Sequence, residues 1–311
     1  MKVMLIGNFP TCITIYQYLL KSNLLQSVCF QQLDYEDEVS LYWKNGIKMS
    51  GLSTFEINQS NVKTDFKVYL EQQSVDLVIV CGFGIKIPVE ILEIPRYGFL
   101  NIHFGQLPQN RGGDPVFWTL KKGEKEAYVT IHKITREWDA GPVLLESKSA
   151  IVLGETYGMV FSKLSLQLGD LVSQVIKKIT QGVSYKEQMT VNAVYNPKPS
   201  VEDTTIDWEL QTATEIEQLV NACNPKFGGA RTFYQGGVIK IMEVTSIRNQ
   251  VSKTSKTNGE IVHAHPTEGL FVNCMDGQIL QINVMSSDAG VLSGTKYVAL
   301  GVQTGHCFTS K

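Results

Sequence analysis

The chain has 311 residues, which is enough for a full hydrophobic core and for two domains. Apolar residues make up 43% of it and charged residues 19%, as is ordinary for a soluble globular protein. The net charge of −2 and the isoelectric point near 6.2 argue against a basic surface for nucleic acids or anionic membranes.

The six cysteines are scattered and form no CxxC pair, which is typical of buried free thiols in a reducing compartment. No cluster has the spacing of metal ligands. The chain opens into an apolar run at residues 3–6 instead of a signal peptide, and no apolar run approaches the ~20 residues of a membrane-spanning helix. We expect a cytoplasmic protein with no metal and no membrane partner. The sequence does not indicate its oligomeric state.

The first part of the chain predicts a β-α-β unit. The compact, mainly apolar run at residues 2–6 predicts a buried parallel strand, residues 11–20 have helical spacing, and residues 27–30 predict a second strand. The turn Gly7-Asn8 lacks the other glycines of a GxGxxG fingerprint, which argues against a nicotinamide cofactor. A strong strand at residues 75–81 then runs into a loop at 82–88. Ligands of open parallel sheets bind beyond the carboxyl ends of the strands, so this is a candidate binding loop.

The second part of the chain changes character. Residues 155–182 predict one long helix, and Pro197-Lys198-Pro199-Ser200 is the clearest linker. Beyond it follow one helix and several short strands, with a polar loop at residues 253–258, which together predict a small antiparallel barrel or sandwich. We therefore predict a first domain at residues 1–196 and a second at 197–311.

The stretch at residues 98–142 carries the candidate chemistry. Asn101 and His103 alternate along a predicted strand, so their side chains project to one face near its end. Asp139 follows a second apolar alternation at residues 128–132 and precedes the turn 140–142. An amide donor, an imidazole and a carboxylate are the groups needed to bind a carbonyl oxygen, hold a charge and move a proton.

Other polar residues of this stretch have simpler interpretations. His132 is assigned to the core or to a supporting position, because it matches no motif. Arg111 serves equally well as an organiser of its loop or as a substrate contact. Asp114 is expected to cap the helix that follows it.

With these residues, the chain resembles the folate-dependent formyltransferase family. The resemblance covers nearly the whole chain, and its core is Asn101-Ile102-His103, Leu107-Pro108, Arg111-Gly112 and Asp139-x-Gly141. Members of the family include methionyl-tRNA formyltransferases, sugar-nucleotide N-formyltransferases and the hydrolase domain of 10-formyltetrahydrofolate dehydrogenase. The resemblance implies an α/β fold, with a Rossmann-like parallel-sheet formyltransferase domain followed by a small β-rich, OB-like C-terminal domain.

The resemblance also implies the roles of the matched residues. Formyl would pass from the co-substrate 10-formyltetrahydrofolate to a primary amine, without a metal. Asn101 would donate to the oxyanion, a charged His103 would stabilise it, and Asp139 would orient the imidazole and take the amine proton. A carboxylate base works best with a raised pKa.

The resemblance assigns binding roles to the neighbouring loops. The pterin pocket would be formed, mostly through main-chain groups, by Phe83, Gly84, Ile85, Ile87, Pro88, Gly141 and Pro142. Gln106 and Arg111 are the candidate acceptor-binding residues.

The acceptor is left open between three alternatives. From Pro197 to Lys311 there are nine Lys and Arg against eleven Asp and Glu, and residues 32–50 are acidic where methionyl-tRNA formyltransferases carry a basic loop. A tRNA partner remains possible, but this charge argues against it. We therefore expect a small amine, such as a nucleotide-linked amino sugar. The alternatives are methionyl-tRNA and water, which would make the protein a hydrolase.

Overall fold

The structure, a computed structural model, describes residues 1–189, 191–251 and 257–311, with the backbone alone described for residues 248–251. Its contacts divide into two units. One comprises Met1–Gly112, Ala127–Ser149 and Phe161–Asn196, and the other comprises Gly113–Glu126, Ala150–Val160 and Pro197–Lys311. The second unit thus includes two segments that precede Pro197, and the division of functional domains at residues 196 and 197 stays a prediction. No helix of the described ranges is both long and apolar enough to cross a membrane.

Strands and helices alternate through the first 103 residues. The elements are β1 (Val3–Gly7), α1 (Ile13–Lys21), β2 (Leu25–Gln31), α2 (Glu38–Met49), β3 (Ser53–Ile57), α3 (Asp65–Gln73), β4 (Leu77–Cys81), α4 (Val89–Leu92) and β5 (Phe99–His103). The next elements are β6 (Arg111–Gly112), α5 (Pro115–Lys121), β7 (Glu126–Lys133), β8 (Val143–Ala150), α6 (Tyr157–Leu166), α7 (Leu168–Thr180) and β9 (Tyr195–Asn196).

The main sheet of the first unit has the strand order β3-β2-β1-β4-β5-β7-β8. The five strands from β3 to β5 pair in parallel, and β7 pairs with β5 in the antiparallel direction. Strands β1 and β4 are buried along their whole length, as is typical of a parallel sheet covered on both faces. The predicted Rossmann-like sheet is confirmed, and its carboxyl edge collects the ends of β1, β4 and β5.

Helices cover this sheet with their apolar sides. One buried cluster joins β1, β4 and β5 to α3 and α4; it includes Met4, Ile6, Val78, Val80, Phe99, Phe66, Leu70 and Ile91. Helix α1 packs against α7, which buries seven residues between Leu168 and Ile179. Burial on both faces fixes the register of the strands, and therefore the face to which each polar residue at their ends projects.

The long helix predicted at residues 155–182 is two helices, α6 and α7. They separate at Gln167, whose backbone N–H donates to the oxygen of Leu164, three residues back. The side-chain amide of Gln167 also donates to Lys163 O and to Ser149 Oγ. These contacts tighten the turn and interrupt a pattern that looks continuous in the sequence.

The C-terminal part of the second unit is β-rich, as predicted. It contains a 3₁₀ turn (Glu202–Thr204), α8 (Ala213–Cys223), β10 (Ala230–Tyr234), β11 (Gly237–Val251), β12 (Ile261–His265), β13 (Gly269–Asn273), β14 (Gln278–Ser287), β15 (Gly290–Ser293), α9 (Gly294–Ala299) and β16 (Phe308–Thr309). The sheet order is β12-β13-β14-β11-β10-β16, with β15 beside β14 and antiparallel pairing between neighbours. Residues 253–256 of the predicted polar loop lie outside the described residues.

Trp208 anchors the start of this β-rich part. It is 1% exposed, its ring stacks on Phe308 at 5.8 Å, and its Nε1 donates to Thr232 Oγ1 at 2.9 Å. Its indole therefore contributes both apolar burial and a satisfied hydrogen bond.

Replacing this indole should destabilise the second unit. We expect Trp208→Ala to lower the free energy of unfolding by about 3–5 kcal/mol, because it leaves a cavity and removes the hydrogen bond to Thr232. Denaturant unfolding followed by circular dichroism measures the loss. The control Leu210→Ala, at a side chain that is 73% exposed, should change stability by less than about 0.5 kcal/mol. Equal losses in the two variants would contradict this assignment.

Candidate active site

Strands β5 and β7 bring three polar side chains to one place. Asn101 and His103 lie on the same face of β5, two residues apart at its carboxyl end. The antiparallel register sets Asn101 opposite His132 and His103 opposite Thr130. Residues directly opposite in such a pair are side-chain neighbours, so the register adds His132 to the predicted pair.

Asp139 joins them from the loop after β7. Its backbone has φ +50°, a left-handed conformation that aspartate tolerates better than most residues. Oδ1 accepts a hydrogen bond from Asn101 Nδ2 at 3.2 Å and lies 3.4 Å from His132 Nε2 and 3.7 Å from His103 Nδ1. Oδ2 accepts from the backbone N–H of Gly112 at 2.9 Å. The structure therefore brings the predicted trio together, and the catalytic roles of its members stay a prediction.

The surroundings of His103 favour a neutral imidazole. Burial lowers its pKa below the usual value and outweighs the opposing effects of Asp139 and of the Asn110 carbonyl. Nε2 lies 2.6 Å from Asn110 O, an atom that can only accept, so Nε2 carries the proton. In the neutral ring Nδ1 is then an unprotonated acceptor that faces Asp139. The charged resting state that the resemblance implied is not what this environment favours.

The carboxyl of Asp139 is strongly acidic. Burial opposes its ionisation, but the neighbouring imidazoles of His132 and His103 and the N–H of Gly112 favour the carboxylate and lower its pKa to about 2. This is the opposite of the raised pKa that suits a carboxylate base. A group this acidic is a weak base, so His103 Nδ1 is the better proton acceptor of the pair, and Asp139 stabilises the charge that would form there.

His132 is the residue whose importance the sequence left open. Its Nδ1 lies 3.0 Å from the oxygen of Lys133 and donates to it, so in the neutral ring Nε2 is free to accept. Asn101 Nδ2 lies 3.1 Å from that atom. Thr130 and His132 alternate with the apolar residues Val129 and Ile131, which indicates that the two polar side chains share one face of β7. Only the pairing of β5 with β7 shows that His132 faces Asn101.

The amide of Asn101 is held by two acceptors. Its Nδ2 reaches Asp139 Oδ1 and His132 Nε2, and it carries two hydrogens. A formyl oxygen arriving here would compete for one of these hydrogens. The site thus presents an amide donor that can stabilise a tetrahedral oxyanion, an imidazole that can gain a proton, and an ionised carboxylate that can stabilise the resulting imidazolium.

The predicted pterin loop after β4 offers mainly backbone. Ile85 and Ile87 are buried in the core cluster, and Phe83 packs against it. The N–H of Gly84 donates to Gln31 Oε1 at 2.8 Å, and Pro88 occupies the N-cap of α4. The apolar side chains of this loop therefore stabilise the fold, which leaves main-chain groups and the exposed side chain of Lys86 to face a ligand.

The loop that follows Asp139 is tightly packed. A Cβ on Gly141 would lie 1.9 Å from the oxygen of Lys133, so only glycine fits. The N–H of Lys133 donates to Pro142 O at 2.9 Å. The loop is thereby fixed against the end of β7.

The two candidate acceptor-binding residues differ. Gln106 is half-buried, and its backbone oxygen accepts from the N–H of Asn110. Arg111 is only 4% exposed, and its guanidinium is bonded to Gln188 and to the hydroxyl of Tyr195. These contacts favour the role of loop organiser over that of substrate contact.

The prediction that Asp114 caps α5 is wrong. Asp114 stands at the N-cap position, but with φ +53° its side chain makes no capping bond. Its carboxylate instead accepts from the Tyr157 hydroxyl at 3.0 Å and lies 2.7 Å from Lys226 Nζ. These two partners orient the carboxylate away from the helix terminus.

A parallel sheet with an amide, imidazoles and a carboxylate at its carboxyl edge defines an α/β protein with an acyl-transfer type of site. Within the described ranges, no three His, Cys, Asp or Glu side chains are grouped to hold a metal ion. A family model described as formyl transferase matches residues 34–176, and a model of the formyl transferase C-terminal domain matches residues 198–298. The chain belongs to the folate-dependent formyltransferase family.

Individual relatives point in two directions. A methionyl-tRNA formyltransferase of Enterococcus faecalis is 32% identical over 67% of this chain, and the match spans 65% of that protein. The N-formyltransferase of Helicobacter canadensis, solved with folinic acid and dTDP-3-aminofucose, superposes with a TM-score of 0.63 at 16% identity, over 91% of this chain and 98% of that one. HypX of Aquifex aeolicus, solved with tetrahydrofolic acid, gives a TM-score of 0.64 at 17% identity over 96% of this chain, which spans 47% of HypX.

Protonation of Asp139 should destabilise the protein in acid. Its pKa is about 2 when folded and about 4 in an unfolded chain. A depressed pKa stabilises the folded state above the unfolded value, so roughly 2 kcal/mol should be present above about pH 4 and lost as the pH falls towards 2. Asp139→Asn should lack this component.

Urea unfolding of wild type and Asp139→Asn measures the effect across this pH range. The difference in free energy of unfolding should shift in favour of the variant by roughly 2 kcal/mol as the pH falls. A difference that is constant with pH would show that the carboxyl is not perturbed.

Proposed function

We propose that the protein transfers the formyl group of 10-formyltetrahydrofolate to the primary amine of a small molecule, with a nucleotide-linked amino sugar as the leading acceptor. The observation that carries this proposal is the convergence of Asn101, His103 and Asp139 at the carboxyl edge of the sheet, in a chain of this family. The relatives solved with folate compounds support the choice of donor.

The trio suits each stage of the transfer. The amine nitrogen bonds to the formyl carbon, and the former carbonyl oxygen becomes an oxyanion that Asn101 Nδ2 stabilises. The amine proton passes, directly or through water, to His103 Nδ1, where ionised Asp139 stabilises the imidazolium. The imidazolium then returns this proton, directly or through water, to N10 of the folate. The oxyanion re-forms the carbonyl as the bond from the formyl carbon to N10 breaks, and tetrahydrofolate leaves. Lowering the pKa of His103 makes its neutral form available at the start.

The candidate folate site lies along two loops. Residues 83–88 and 139–142 follow β4 and β7, next to the trio. Main-chain groups of these loops would hydrogen-bond the pterin, because their apolar side chains pack into the fold.

Charge in the segment 32–50 supports a small acceptor over a tRNA. Lys44 and Lys48 are its only basic residues. Lys44 Nζ lies 2.8 Å from Glu36 Oε1 and 2.8 Å from Glu56 Oε2, and Lys48 Nζ lies 2.7 Å from Glu56 Oε1. Both cations are neutralised within the protein, which leaves little attraction for a nucleic-acid backbone.

A nearby cavity supports the same preference. It has a volume of about 300 Å³ and lies beyond β1 and β2, lined by residues 7–11 and by Phe30, Gln31, Leu33, Glu36, Asp37, Ser40 and Lys44. The carboxylates and amides of this lining match the hydroxyl and amino groups of a sugar.

A methionyl-tRNA acceptor is the second candidate. Its support is the 32% identity to a methionyl-tRNA formyltransferase. Hydrolysis needs only water in place of the amine and would use the same trio.

A panel of amines incubated with 10-formyltetrahydrofolate, including amino sugars, their nucleotide-linked forms and a reaction without amine, separates the alternatives. Formate released without amine would identify a hydrolase.

Removing one member of the trio should greatly slow the transfer. We expect His103→Ala or Asn101→Ala to reduce turnover by about 10²–10³, as the loss of a general base or of an oxyanion-stabilising donor does elsewhere. Formation of tetrahydrofolate measures the rate. His265→Ala, at an exposed histidine of β12, is the matched control and should keep the wild-type rate. A near-normal rate in His103→Ala would end the assignment.

Binding of tRNA should be weak. We expect initiator methionyl-tRNA to bind no more tightly than about 10⁻⁶ M at physiological salt, the range of non-specific contacts. A gel-shift titration at several salt concentrations tests this, with the Enterococcus faecalis enzyme as positive control. A tight complex whose affinity falls steeply with salt would instead support the second candidate.

A further inference from the structure

The guanidinium of Arg111 is held by Gln188 and Tyr195. Its Nε and Nη2 donate to Gln188 Oε1 at 3.0 and 2.7 Å, and Nη1 donates to the Tyr195 hydroxyl at 3.1 Å. The guanidinium also lies 5.3 Å from the centre of the Tyr195 ring. These contacts and its burial fix the fork of the guanidinium in one orientation.

Gln188 carries this orientation to the loop of Asp139. Its Nε2 donates to the backbone oxygen of Asp139 at 2.9 Å and to that of Gly141 at 2.6 Å. Arginine can only donate, so Oε1 of Gln188 must face Arg111, and the NH₂ group must face the loop. Both hydrogens of that group meet a carbonyl that can only accept. Each polar atom of the Gln188 amide is therefore matched by its neighbours.

The backbone next to Arg111 holds the side chain of Asp139. Gly112, the next residue in β6, donates its N–H to Asp139 Oδ2. A Cβ on Gly112 would lie 2.3 Å from Asn196 O, and its φ is +92°, so this position requires glycine. Arg111 and Gly112 thus secure the carboxylate of Asp139 directly and its backbone through Gln188.

We propose that Arg111 and Gln188 are positioning residues for formyl transfer, which hold the loop 139–141 so that the carboxylate of Asp139 stays against His103 and Asn101. Neither residue needs to touch a substrate. The left-handed backbone of Asp139 is sparsely populated by residues other than glycine, and it persists where surrounding contacts determine it. The two carbonyl bonds from Gln188 supply such contacts.

The inference rests on the proposed function, because positioning matters only if Asp139 takes part in the transfer. Its first test does not require turnover. The carboxyl of Asp139 has a pKa of about 2 only while it remains beside His132, His103 and Gly112. Release of the loop should therefore raise that pKa, which carbon-detected NMR of the aspartate carboxyls measures in the complete chain.

The variant Gln188→Met removes the amide but keeps the length and neutrality of the side chain. We expect the pKa of Asp139 to rise by about 1 and the kcat for formyl transfer to fall about 10- to 100-fold. The KM for 10-formyltetrahydrofolate should change less than about twofold, because the folate loop is untouched. Gln181→Met, at an exposed glutamine of the same unit, is the matched control and should change none of these values.

The variant Arg111→Lys separates orientation from charge. Lysine keeps the positive charge but loses the guanidinium fork, so it should shift the pKa of Asp139 in the same direction as Gln188→Met. In the Gln188→Met background it should add less than about a twofold loss of kcat, because the effect of Arg111 passes through Gln188. If Gln188→Met fails to fold, as thermal melting would show, Arg111→Lys alone carries the test.

An unchanged pKa of Asp139 in the folded variants would overturn the inference, as would losses of kcat that multiply in the double variant. The proposed function can fail separately. A wild-type protein that transfers no formyl group to any amine would contradict that function, whereas the pKa measurement would still show whether Gln188 holds the loop.

Discussion

The candidate site depends on keeping one carboxylate ionised away from water. Asp139 is 8% exposed, and an ionised carboxylate at such a position is costly unless several groups stabilise it. The protein supplies a side-chain amide from β5 and a backbone N–H from β6, and sets two imidazoles that can gain a proton beside the carboxylate, one from β5 and one from β7. Each of these elements must be in register for the carboxylate to be satisfied. The proposed chemistry and the stable folding of this region therefore both require these elements to be in register.

The site places a strongly acidic carboxyl, that of Asp139, beside a weakly basic imidazole, that of His103. Asp139 gives up its proton readily, while burial keeps His103 neutral beside it. When His103 gains a proton, its imidazolium and the carboxylate of Asp139 form an ion pair. The site is thus poised to gain stabilisation when positive charge forms, which is the condition for favouring a transition state over the resting state.

Local pattern was sufficient for much of the fold and for the trio. Alternation placed Asn101 and His103 on one face, and buried apolar runs indicated the parallel strands. The parts that could not be predicted depend on pairings between distant segments. His132 faces Asn101 through a register that no local pattern encodes, and Gln188 reaches the loop of Asp139 across 49 residues of sequence. The pKa of His103 is lowered by burial and that of Asp139 by its neighbours in spite of burial, and only the assembled site fixes both environments.

The composition of the second unit has a consequence for building hybrid proteins. Helix α5 lies in the segment Gly113–Glu126, packs against α8 and sets Phe117 5.4 Å from Phe227. A fragment that starts at Pro197 would lack this helix and would expose the apolar side of α8. Exchange of acceptor preference between relatives by recombination at the linker would therefore produce mismatched cores. Crossovers that carry Gly113–Glu126 and Ala150–Val160 together with the C-terminal part would keep this packing within one parent.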